Sequence, residues 1–111
     1  MRRHNDRDMK YKYAKEKLGR VVRYLAIGER DVRDRLRVVS SDIFRLNGDD
    51  LPPRLRKHLV WIQRELTKYG PEVGPNGERY KNAVSHTLGR IRNSTGRKIA
   101  ERILKMFSDV K

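Results

Sequence analysis

Apolar residues recur along the chain in steps of three and four, the spacing that gathers side chains on one side of a helix. From Lys10 onward, Tyr11, Ala14, Leu18, Val21, Val22 and Leu25 form the first such stripe, and Gly28 is expected to end that helix in the left-handed conformation glycine tolerates. Val32, Leu36, Val39, Ile43 and Leu46 mark a second helix, which stops at the turn signal Asn47-Gly48-Asp49-Asp50. Asp49 or Asp50 is expected to cap a third helix, with Pro52 and Pro53 in its first turn, where a missing backbone N–H costs nothing. The third stripe is Leu55, Leu59, Ile62, Leu66 and Tyr69.

Residues 70–77 hold five glycines and prolines in eight positions and read as an exposed loop. Tyr80, Val84, Leu88 and Ile91 mark a fourth helix. Asn93-Ser94-Thr95-Gly96 is expected to be the turn before a fifth, capped by Ser94 or Thr95. Ile99, Ala100, Ile103, Leu104, Met106, Phe107 and Val110 cover a broad arc of this last helix, which predicts deep burial. No segment alternates apolar and polar residues over a strand's length, so no sheet is expected. The pattern predicts an all-α fold. It is a compact single domain of about five helices over residues 9–111, preceded by a flexible basic tail at 1–8.

Charge narrows the class of partner. Lysine and arginine number 28 against 14 aspartates and glutamates, a net charge of +14, which favours polyanions. The excess is expected to be thinnest on the second helix, where Glu29 with Arg33, Arg30 with Asp34, and Asp31 with Arg35 stand four apart and neutralise one another. There is no cysteine, which excludes disulfides, thiolate zinc sites and iron–sulfur clusters and is compatible with a reducing compartment. The basic start lacks the apolar run of an export signal, and no stretch approaches the roughly 18 to 20 apolar residues of a membrane span. These features predict a soluble, cytoplasmic protein without a membrane partner.

Two helix faces combine cations with rings. On the third helix Arg54, Lys57, Trp61, Arg64 and Lys68 repeat the three-and-four spacing within an arc of roughly 80°, centred some 140° from the leucine stripe. Trp61 is therefore expected to point away from the core, where a base can stack on it while the cations meet phosphates. The plainer alternative sets Trp61 and Val60 against another helix, with the lysine and arginine stems lying along the surface. On the first helix Lys10, Tyr13, Lys17, Arg20 and Tyr24 make a second face of the same kind. Sharing of solvent-facing ground by these two faces is the basis of a nucleic-acid reading. A third stripe, Lys98, Arg102 and Lys105, is expected to be weaker because Glu101 reaches Lys105.

Catalytic groups do not assemble in the same way. His4, His58 and His86 lack metal-ligand spacing, Asp49 and Asp50 diverge as neighbours, and Gly70, Gly74 and Gly77 match no phosphate-binding glycine pattern. No enzyme, cofactor, metal or small-molecule substrate is expected. The run Leu25 to Leu36 superficially resembles a helix-turn-helix centre, but Val32 follows Gly28 too soon for that motif's turn.

The runs Leu25 to Leu36, Leu51-Pro52, Trp61-Ile62 through Leu66-Thr67, and Thr95-Gly96 to Ile103 resemble a group of small uncharacterised bacterial helical proteins over most of the chain. The resemblance implies a helical fold and no activity, substrate or cofactor. Two functional expectations follow from the residues themselves. The first is a binding protein that engages RNA or DNA backbone non-specifically through the two basic and aromatic faces. The alternative is a protein-interaction or self-associating helical module anchored by Trp61, Tyr13 and Tyr24.

Overall fold

Ile99, Ile103, Met106 and Val110 follow Gly96 in successive steps of three, four, three and four residues, so one side of the last helix is continuous apolar surface, and all five are buried. A computed structural model describes residues 10–110, so the expected tail at 1–8 lies outside the described residues. The helices are α1 (Lys12–Ile27), α2 (Val32–Phe44), α3 (Arg56–Thr67), α4 (Ala83–Arg90) and α5 (Asn93–Val110). They form a mostly helical, compact globule. The long helix α5 packs against α1, α2 and α3, while α4 packs against α2 and α3. The core under α5 comes from the expected stripes: Leu18 and Val21 of α1, Leu36 and Ile43 of α2, Leu59 and Ile62 of α3. Each such side chain contributes roughly 1.5–3 kcal/mol when fully buried.

The helix termini depart from expectation in detail. Gly28 does terminate α1, but in extended conformation, at φ −68° and ψ 161°. Glycine is needed there for a close approach, because an added Cβ would lie 2.7 Å from the Tyr24 carbonyl oxygen. Asp31 caps α2 by accepting from the backbone N–H groups of Arg33 and Asp34, at 3.0 and 3.1 Å. Residues 29–31 therefore precede the helix, and the three expected i,i+4 pairs do not form. Asp31 pairs with Arg33, Asp34 with Arg37, and Arg35 donates to the Gly28 carbonyl.

The 47–55 segment makes two short 3₁₀ turns, Gly48–Asp50 and Pro53–Leu55, before α3. Asp50 accepts from the Asn47 N–H within the first turn, so neither aspartate caps α3. Helix α5 begins at Asn93, one residue before the expected caps Ser94 and Thr95. Its outer arc is open: Leu104 is half-exposed, and Ala100 and Phe107 are partly buried.

The 70–82 connection holds an unexpected antiparallel hairpin, β1 (Glu72–Val73) and β2 (Arg79–Lys81). Its strands are too short to show alternation, and Gly77 at φ 86° and the Gly74 N–H to the Glu78 carbonyl (2.7 Å) turn the chain between them. Tyr80 thus lies on an exposed strand and not on α4, whose N-cap is Asn82. Tyr69 also leaves the core, because α3 ends at Thr67 and Gly70 turns away at φ 66°. A clasp closes the base of the hairpin: the Tyr69 N–H donates to Thr87 Oγ1 at 3.1 Å, and His86 Nδ1 bonds the Gly70 carbonyl at 2.9 Å.

Gly96 lets α5 approach α2, since a Cβ there would stand 3.1 Å from Val32 Cγ1 and 3.3 Å from Arg33 Cγ. Gly96→Val is therefore expected to destabilise the fold by about 1–3 kcal/mol. Gly19→Ala is expected to stabilise it by about 0.5–1 kcal/mol, because its methyl would meet the Phe107 ring at an ordinary 3.6 Å. Urea denaturation of the two variants measures both signs.

Candidate functional site

Helix α3 turns Trp61 toward α5, not toward open solvent. The ring is partly buried and packs against the core, and the Arg102 guanidinium lies over it, 4.2 Å from the ring centre. The spacing of Lys98, Arg102 and Lys105 on α5 places these cations around the same ring, where they line a shallow recess of about 280 Å³ with Glu101. The three-residue stripe expected to be weakest is thus the one that meets the tryptophan. Glu101 does not hold Lys105, which pairs instead with Asp109 at 3.5 Å, four residues on.

The other α3 cations divide. Lys57 and Arg64 are exposed and have no ion pair among the described residues. Arg54 donates to the Asp109 carbonyl at 2.9 Å and so tethers the entry to α3 to the end of α5. Lys68 pairs with Glu65 at 3.2 Å and lies 5.7 Å from the Tyr69 ring. Arg90 of α4 stacks on that ring too, at 4.8 Å, a second guanidinium–aromatic pair with no counterpart among the expected faces. The signal for both stacks is arginine itself, whose planar cation prefers ring faces, but the partner helix is visible only in three dimensions.

The α1 face does not hold together as expected. Lys10 and Arg20 are exposed and Tyr13 is half-exposed, with Lys17 Nζ 5.1 Å from the Tyr13 ring centre. Lys17 itself is only 8% exposed and pairs with Asp42 of α2 at 3.5 Å, so it joins two helices and is withdrawn from any partner. Tyr24 is partly buried against the core, its ring beside Gly28. Nor do the two expected faces adjoin: α1 and α3 each pack on α2 and α5, and not closely on each other. The shared surface is therefore formed by α3 and α5.

His58 sits at the edge of this surface, partly buried, with Arg102 Nη1 donating to its Nδ1 at 3.4 Å. Burial lowers its pKa below the ordinary 6.5, and the charges of Arg102, Lys57 and Lys105 lower it further against the opposing pull of Asp109. Among the described residues no group of three histidine, aspartate or glutamate side chains gathers to hold a metal ion, and no helix is long and apolar enough to cross a membrane.

No family profile, no curated protein and no solved structure matches this chain. Its functional reading rests on the residues and their arrangement.

Two measurements test this geometry. His58 protonates more readily in the unfolded chain, so stability is full above pH 6.5 and declines as pH falls toward the lower folded value. A thermal melt compared between about pH 7.5 and about pH 5.5 should show that loss, and His58→Gln should remove part of it. For the α1–α2 pair, Asp42→Ala leaves Lys17 buried without its partner and is expected to cost about 1–3 kcal/mol. The double variant Lys17→Met with Asp42→Ala should recover most of that in urea denaturation.

Proposed function

We propose that this chain is a non-enzymatic protein that holds the backbone of RNA or DNA, without reading base sequence, on the face shared by α3 and α5. The observation that carries this reading is the Arg102–Trp61 stack set among the exposed lysines of two helices. A guanidinium already held on a ring keeps N–H donors available for a phosphate with little further loss of rotamer freedom. Lys57, Arg64 and Lys98, exposed and without ion pairs among the described residues, supply the mobile charges that displace condensed counterions. Glu101 lines the same recess but is outnumbered by Lys98, Arg102 and Lys105.

Such contacts position a polyanion and do not discriminate bases, which matches the absence of helix-turn-helix spacing in the sequence. Binding rather than catalysis is the reading because the recess gathers three cations, a ring and one carboxylate, with no nucleophile and paired base. Lys10, Tyr13, Arg20 and Tyr24 belong to another surface, and Lys10 and Arg20 add to the long-range positive field that steers a polyanion. The cytoplasm, where RNA is accessible, is the compartment this reading implies.

Fluorescence anisotropy with labelled single- and double-stranded oligonucleotides tests it. Affinity should fall steeply with salt, each phosphate contact adding about 0.9 to the logarithmic slope for duplex and about 0.7 for single strands. Lys57→Glu with Lys98→Glu, both at exposed positions, should weaken binding about tenfold or more and flatten the slope by about one to two. Absence of a complex at low salt, or a variant indistinguishable from the parent, overturns the reading.

A further inference from the structure

The C-terminal half of α1 and the middle of α2 flank a groove of about 320 Å³ on a surface the α3–α5 face does not use. Its apolar lining is Tyr24, Ile27, Val38 and Val39. Ile27 is 70% exposed and Val38 57%, and they line one depression beside a tyrosine instead of standing singly as surface aliphatics usually do.

The charges at the groove have one sign to offer. Arg20 and Arg23 line it, both exposed and without ion pairs among the described residues. Asp42, the anion lining it, is already held by Lys17 at 3.5 Å and Arg45 at 3.7 Å. A comparable groove between α1 and α5 carries one cation and one anion, Arg97 and Glu101, and so selects no partner charge.

The geometry points to the α1–α2 groove as a docking site for an acidic amphipathic helix of a partner protein. Aliphatic residues at i, i+3 or i+4, and i+7 would enter the groove, and flanking aspartates or glutamates would meet Arg20 and Arg23. A nucleic-acid backbone offers the charge but nothing apolar to cover Ile27 and Val38. A second copy of this chain offers the apolar surface but not the charge, since each of the five helices among the described residues carries more lysine and arginine than aspartate and glutamate. Tyrosine and arginine at one groove are also the residue types that carry most energy in protein interfaces.

The test is an amide-resolved NMR titration of the full chain with a panel of peptides of about 18 residues, five helical turns. The panel carries leucines at helical spacing with glutamate elsewhere. One control set has lysine for glutamate, and another has the acidic sequences scrambled. The acidic amphipathic peptides are expected to shift Tyr24, Ile27, Val38 and Val39, and the controls are not. Ile27→Ser with Val38→Ser, at exposed positions, should weaken the peptide about tenfold or more and leave oligonucleotide binding unchanged. Arg20→Ser with Arg23→Ser should weaken it and reduce its salt dependence.

Equal binding of the scrambled peptides, shifts confined to α3 and α5, or no binding across the panel overturns the proposal. So does concentration-dependent dimerisation abolished by the Ile27 and Val38 substitutions. Oligonucleotide affinity is read separately, so failure at this groove and failure at the α3–α5 face are distinguishable.

Discussion

The apolar side of α5 is the surface on which α1, α2 and α3 are all set, and it can serve them only because its residues keep strict helical spacing from Gly96 to Val110. At its first turn the requirement is steric: Gly96 leaves room for Val32, Arg33 and Leu36 of α2. Farther along, Ile99, Ile103 and Met106 are completely buried, so a chain of 111 residues with 38% charged side chains still assembles one continuous core. The charge is tolerated because it is carried outside this seam. Lys17 is withdrawn into the protein only with Asp42 beside it.

The cationic cluster is a by-product of the same arrangement. A helix that buries one side against three neighbours presents its opposite side at the edges of those neighbours, and on the α3 edge that side carries Lys98, Arg102 and Lys105. Trp61 meets them because it lies outside the α3 leucine stripe. The ring fills the shallow angle between the two rods, and the guanidinium covers it. His58 shares this angle, where burial first and the neighbouring cations second lower its pKa.

The core was legible because helical burial is periodic: nearly every residue of the five stripes from Ala14 to Val110 that lies inside a helix is buried or packed against the buried cluster. Tyr69 and Tyr80 failed for a local reason, a glycine turn and a hairpin, whose five strand residues are too few for any pattern to announce. The site was half legible. Spacing grouped Trp61 with Lys57 and Arg64, and separately Lys98 with Arg102 and Lys105, but periodicity describes one helix at a time. It does not say which helices meet, so it paired the α3 face with that of α1 instead of that of α5. Lys17 has the same cause: the carboxylate that claims it is 25 residues away on another helix. Leu51, fully buried between two 3₁₀ turns, belongs to no stripe and escaped for want of a period.

The hairpin from Glu72 to Lys81 adds no side chain to the buried cluster, and the clasp of Tyr69, Thr87, Gly70 and His86 closes beneath it. Its tip, Pro75-Asn76-Gly77, is exposed. The length of that segment is therefore decoupled from the energetics of the rest. New chain ends opened at the tip, or a foreign peptide spliced into it, would leave the α5 seam to zip two halves of the molecule together. Changes at the tip thus touch none of the buried side chains along the seam that determines whether the fold assembles.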